Sequence, residues 1–109
     1  MISLDELKLK DGEKLIVKKQ VSYVKNILII PQPNPGNLSI TDKRVIFEPT
    51  QGRPSSAFVC DLGNIESFSV GLMNTITIQT KDGEKYKLTG LFNKDLIKGL
   101  EQVNIKKEK

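Results

Sequence analysis

The chain has 109 residues, 38% hydrophobic and 28% charged, with 17 Lys and Arg against 13 Asp and Glu for a formal net charge of +4. That length supports one hydrophobic core and not two. The absence of His removes Ser-His-Asp triads, Cys-His pairs and His-ligated metal sites, and the single Cys removes an internal disulfide framework and a Cys-cluster metal site. The composition predicts a binding or interaction module, not an enzyme, with no cofactor and no metal.

The basic excess favours anionic surfaces, yet charges of both signs interleave along the chain. The densest cationic stretch, Lys106, Lys107 and Lys109, is interrupted by Glu108, so a nucleic-acid arm or polybasic anchor is not indicated. The only guanidinium groups are Arg44 and Arg53, which weighs against a dedicated phosphate-reading site. Acids occupy the start, Met-Ile-Ser-Leu-Asp-Glu-Leu, where a signal peptide carries basic residues, and position two is not the Gly that myristoylation requires. The longest apolar run, Ile27–Ile30, is too short to span a bilayer. The lone Cys60 suits a reducing compartment. The expected location is cytoplasmic, with a peripheral place at the inner face of a membrane as its variant.

In chain order, residues 1–13 form an approach segment ending in the turn Asp11-Gly12, with Leu4, Leu7 and Leu9 either forming a short helical turn or lying across the core. Residues 14–25 read as a long strand. Leu15, Val17, Val21 and Tyr23 share a face that Lys19 interrupts, and a bulge near Lys18-Lys19 would restore alternation. Pro31, Pro33 and Pro35 are expected to end any central strand there, because they lack amide donors. The next hairpin registers by arithmetic. A two-residue loop at Asp42-Lys43 pairs Ile40 with Val45 and Leu38 with Phe47 on one face, leaving Asn37, Ser39, Arg44 and Ile46 on the wet one.

A strand is expected at 56–60, a turn through Gly63-Asn64, and a strand over Ile65–Val70 with Phe68 and Val70 inward. Gly71 to Asn74 reads as a turn. The last hairpin uses Lys81-Asp82-Gly83 as its loop, Gly83 being left-handed, so that Ile78 meets Tyr86 and Ile76 meets Leu88. After Gly90 the period becomes helical. Asn93 is the expected N-cap of a helix over 93–107, Asp95 sits in its first turn, and Phe92 and Ile97 are spaced for a staple. Leu96, Ile97, Leu100 and Val103 form the apolar stripe, and Gly99 points to close packing of helix on sheet.

Gly36-x-Leu38-x-x-Thr41-x-x-Arg44-Val45-Ile46-Phe47 resembles the signature hairpin of GRAM domains, members of the pleckstrin-homology-like superfold. Leu62-x-x-Ile65 resembles the family's turn into the fifth strand, with Asn64 where an acid is usual. Ile76-x-Ile78-x-Thr80-x-Asp82-Gly83-x-x-Tyr86-x-Leu88 resembles its last hairpin, and Phe92-Asn93 opens the helix. The resemblance covers roughly residues 14–104. It implies a mainly β fold with one C-terminal α-helix: a PH-like barrel of about seven antiparallel strands in two sheets, one end closed by the helix. It implies binding to membrane lipid or protein without catalysis, and it transfers no binding residue.

From the residues themselves, the candidate interaction set is Lys25, Ile27, Leu28, Ile29, Ile30, Arg44, Lys85 and Lys87. Ile27–Ile30 either forms a strand covered on both sides or carries apolar side chains to the rim as a docking element. Arg44 either holds a phosphate or anchors a loop. Lys85 and Lys87, with Thr75, Thr77 and Gln79, make a polar basic stripe or a solvated outer face. Cys60 has apolar neighbours and reads as core. The partners this set suggests are an anionic membrane surface or a protein. Self-association as a homo-oligomer through strand edges or residues 27–30 is the alternative, and nonspecific nucleic-acid binding ranks below both.

Overall fold

The computed structural model describes residues 7–27, 30–50 and 57–108, and for residues 25–27 and 30–32 the backbone alone. Leu4, Leu28, Ile29 and the start of the strand expected from residue 56 lie outside the described residues. Seven antiparallel strands follow in order: β1 (Leu15–Ile27), β2 (Ile30–Thr41), β3 (Arg44–Pro49), β4 (Phe58–Asp61), β5 (Ile65–Val70), β6 (Ile76–Thr80) and β7 (Lys85–Thr89). One helix, α1 (Asn93–Gln102), comes last.

The strands form one sheet in the order β4-β3-β2-β1-β7-β6-β5, where two sheets were expected. The reason is the length of β1. Its 13 residues pair with β2 on one edge, and Ser22–Val24 pair with β7 on the other. A single strand therefore belongs to both halves. Among the described residues no ladder joins β4 to β5, so the sheet is not closed. It is strongly curled nonetheless. Phe58 on β4 stacks on Tyr86 on β7 at 4.0 Å between centroids, although these strands are not neighbours in the sheet.

Both hairpins adopt the expected register. Ile40 pairs with Val45 and Leu38 with Phe47, all fully buried. Ile78 pairs with Tyr86 and Ile76 with Leu88, and Gly83 takes a φ of +94°. Leu38, Ile40, Val45, Phe47, Ile76, Ile78, Leu88, Leu96 and Leu100 share one core, with Tyr86 packed against it. On the face expected to be wet, Arg44 and Ile46 are buried too.

Three local expectations are corrected. Alternation in β1 shifts between Leu15 and Val17, not at Lys18-Lys19. Lys19 therefore stays in register with buried Leu38, and its long stem carries the ammonium out of the core to solvent. β2 runs straight through Pro31, Pro33 and Pro35. Period two places all three missing amides on the same edge. The Pro35 carbonyl accepts from the Thr50 amide at 3.0 Å, so this edge faces away from β1. The ladder to β1 needs no proline donor, and β3 pairs only from Gly36 onward. In β5, the pairing shifts around Glu66, so Ile65 and Phe68 point inward and Val70 is only half-buried.

Helix α1 seats Gly99 on β1. A Cβ there would lie 2.5 Å from Val17 Cγ1, so the close approach expected from this glycine is real. The helix ends at Gln102 rather than 107. Asn104 is left-handed (φ 66°), and the Ile105 and Asn104 amides donate to the Leu100 and Glu101 carbonyls, each at 3.0 Å. This is a Schellman stop with Asn in place of Gly. The following residues pair with the edge of β5: Phe68 N donates to Lys106 O at 2.9 Å, and Glu108 N donates to Phe68 O at 2.7 Å.

Candidate docking surface

The sequence candidates divide: Lys87 pairs with Val24 beside Lys25 on the neighbouring strand, and Arg44 is bound elsewhere. Arg44 is withdrawn into a clasp. Its Nε donates to Glu13 Oε2 at 2.8 Å and its Nη2 to Glu13 Oε1 at 2.6 Å, a two-pronged fork. Nη2 also donates to the Lys8 carbonyl, and Thr41 Oγ1 donates to Glu13 Oε2 at 2.7 Å. The Arg44 guanidinium beside Glu13 holds that carboxyl down at about 2. Lys14 and Asp42 complete the clasp through the Lys14 amide on Asp42 Oδ1. Arg44 thus anchors the approach segment to the β2–β3 turn.

Lys85 and Lys87 stand exposed on the outer face of β7, in register with Gln79 and Thr77. Lys25, Ile27 and Ile30 contribute described backbone to the far end of the β1–β2 hairpin, where Lys25 pairs with Gln32 and Ile27 with Ile30. Their side chains, and Leu28 and Ile29 altogether, lie outside the described residues. Pro31, Pro33 and Pro35 strip alternate donors from the outer edge of β2, which makes that stretch a poor template for another strand.

Two turns that sequence reasoning treated as connections carry the exposed apolar surface. Leu72 and Met73, between β5 and β6, are 90% and 93% exposed. Leu91, between β7 and α1, is 95% exposed, and Phe92 beside it 47%. The turn at 72–74 is held in an unusual shape, with Met73 at φ 55° and Asn74 at φ 59°. Left-handed backbone at a bulky residue is uncommon and costly, and it keeps Met73 projecting.

Asn93 ties the two turns together. It is fully buried rather than serving as the N-cap, a position Phe92 takes without a side-chain cap. Its Nδ2 donates to Asn74 O at 2.7 Å and to Leu88 O at 3.1 Å. Its Oδ1 is buried and finds no partner among the described residues. Phe92 also meets a cation. Lys19 Nζ lies 5.4 Å from the centre of the Phe92 ring and 3.6 Å from Asp95 Oδ2. The signal in the sequence was present: Leu72-Met73 sits inside a turn bounded by Gly71 and Asn74, and Leu91 fits neither strand nor helix period.

Beside Leu91 and Phe92 is an open cleft of about 220 Å³, bordered by Gln20, Ser22, Pro35, Thr89 and Gly90. Among the described residues no charged side chain lines it. The remaining ionisable groups of the core are kept neutral. Burial pushes the Cys60 thiol up to about 11 and the Tyr86 phenol up to about 12. Among the described residues no cluster of acids and Cys is placed to hold a metal ion, and no helix is long and apolar enough to cross a membrane.

A curled antiparallel sheet of seven strands with one helix packed on it after the last strand is the pleckstrin-homology-like fold. Solved structures carry it at low identity. The C-terminal domain of an unknown protein from Leishmania infantum superposes with a TM-score of 0.70 at 20% identity, covering 85% of both chains. The Vps36 N-terminal PH domain gives 0.59 at 20% identity, covering 88% of this chain and 85% of that one. The linker-DH/PH structure of p115-RhoGEF gives 0.66 at 10% identity, covering 92% of this chain and 30% of that one. Within that fold the chain belongs to the GRAM domain family, whose model matches residues 3–107. GRAM and PH-like domains are typically lipid- or protein-binding modules. No curated protein matches the chain.

Proposed function

We propose that the protein is a non-catalytic module that docks peripherally on an anionic membrane surface, with Leu72, Met73, Leu91 and Phe92 as its apolar contact. The observation that carries this reading is the near-complete exposure of three large aliphatic side chains on two turns joined by one buried amide. Scattered exposed leucines need no explanation, but a grouped set on shaped turns marks a contact surface. Burying one such side chain is worth roughly 1.5–3 kcal/mol. Two or three together support a weak, reversible association after ordering costs. The +4 charge supplies the attraction to an anionic leaflet.

Co-sedimentation with vesicles tests this reading, using phosphatidylcholine alone and phosphatidylcholine with phosphatidylserine. Binding is expected on the anionic vesicles and should fall as salt rises. The double variant Leu72→Ser with Leu91→Ser should lose about a hundredfold in affinity, from roughly 3 kcal/mol of lost burial. Undiminished binding by that variant would overturn the assignment of the surface. A concentration-dependent shift on a sizing column, insensitive to salt and abolished by the same variant, would instead make the tips a self-association surface.

A further inference from the structure

Resting on the membrane reading, we infer that Lys19 is the residue that selects an anionic bilayer, and that Asp95 occupies its ammonium until docking. The placement is unusual for a surface lysine. Its Cα belongs to the inward face of β1, in register with Leu38, between Val17 and Val21 on the same face. Its stem runs toward the start of α1. There the ammonium lies 5.4 Å from the Phe92 ring centre and 3.6 Å from Asp95 Oδ2. The side chains of Lys19 and Asp95 are both partly open to solvent. Lys19 is thus a cation led through the fold to the apolar contact itself, where phosphates of a lipid layer would meet it once Leu91 and Phe92 enter.

The fold also supplies its competitor. Asp95 is favoured in the first turn of α1 by the helix dipole, and Lys19 is its ion-pair partner. An exposed pair of this kind is worth little in water, so a dense anionic surface exchanges with it readily. On a neutral surface nothing replaces Asp95, and the pair stays closed. Lys19 adds affinity only where the lipid headgroups carry net negative charge, because in a zwitterionic layer the choline already neutralises each phosphate, and Asp95 sets how much.

A double-mutant cycle on vesicles decides the matter. One Lys near an anionic leaflet corresponds to about fivefold in affinity. Lys19→Gln should lose about fivefold on phosphatidylserine-containing vesicles and nothing on residual binding to phosphatidylcholine. Asp95→Asn should gain affinity on the anionic vesicles, and that gain should disappear in the Lys19→Gln background. Lys85→Gln, at the distant end of β7, is the control for net charge alone. If Asp95→Asn gives the same gain with and without Lys19, or if Lys85→Gln costs as much as Lys19→Gln, then Lys19 is one charge among many and the inference fails. If Leu72→Ser with Leu91→Ser leaves binding intact, it is the membrane contact itself that is misplaced. All of these positions are at least partly exposed, and a melting curve for each variant confirms that binding is read on folded protein.

Discussion

The clasp and the tips place residue types in opposite ways. At the clasp, Arg44 and Glu13 are withdrawn from water, and the fork between them is completed by Thr41 and the Lys8 carbonyl. At the tips, Leu72, Met73 and Leu91 are held in water by turns whose own backbone is satisfied: Gly71 N on Thr75 O, Thr75 N on Leu72 O, and Asn93 on Asn74 O. A buried charge must be paired or its desolvation is uncompensated. An exposed leucine carries no such obligation, so its position is decided by what the surface meets. The charged residue most resembling a ligand contact is therefore structural, and the residues most resembling core are the ones left in water, which is why the proposed contact falls on them.

The sharpest way to break this comparison is at the clasp. Glu13→Ala leaves the Arg44 guanidinium buried without its carboxylate. It should cost about 3–5 kcal/mol in urea unfolding, while any folded fraction retains its affinity for vesicles. Next comes the helix seat. Gly99→Ala gains helix propensity of roughly 1 kcal/mol, but its Cβ would meet Val17 Cγ1 at 2.5 Å. Overpacking at that contact should leave the variant about 1–3 kcal/mol less stable by the same measurement.

Acid sharpens the clasp further. The hydrogen bonds from Arg44 hold the Glu13 carboxyl down at about 2 in the folded protein, against 4.5 for an unperturbed glutamate. A depressed carboxyl contributes stability that is complete above pH 4.5 and lost as pH falls through about 2. Wild type should lose stability across that window as pH falls. Glu13→Gln, already weaker at neutral pH, should lack that part of the slope. Parallel acid limbs in the two proteins would mean that Glu13 is not ionised against Arg44.

Much of the fold was legible because alternation and turn chemistry agreed. The Ile40/Val45 and Ile78/Tyr86 registers follow from where Asp42-Lys43 and Gly83 put their turns, and the stripe Leu96, Leu100 fixes which helix face is buried. The failures have physical causes. Proline breaks a strand only where its missing amide faces a partner, and composition does not tell which edge that is. Asn93 stands at a cap position in the sequence, whereas its short amide reaches two carbonyls from inside. Period two puts Arg44 on a wet face and cannot show that the approach segment returns to cover it. Turn residues such as Gly71 and Asn74 mark where the chain bends and say nothing about what the bend presents.

The smallest stability effect belongs to Met73, and it tests the comparison from the side of the tips. Met73 sits at φ 55° with its side chain 93% exposed. An L-residue in that backbone region costs roughly 1–2 kcal/mol relative to glycine's freedom there. Met73→Gly relieves that cost but adds about 0.5–1 kcal/mol of unfolded-chain entropy to be overcome. The two terms partly offset, so the variant should unfold at the same urea concentration as wild type or gain up to about 1.5 kcal/mol. Its vesicle binding should still fall about tenfold or more, because a side chain worth roughly 1.5–3 kcal/mol of burial is gone. A residue whose removal leaves or improves the fold and weakens docking is held in place for contact. If Met73→Gly instead costs stability and leaves binding unchanged, the turn is a packing element and the tips lose their claim.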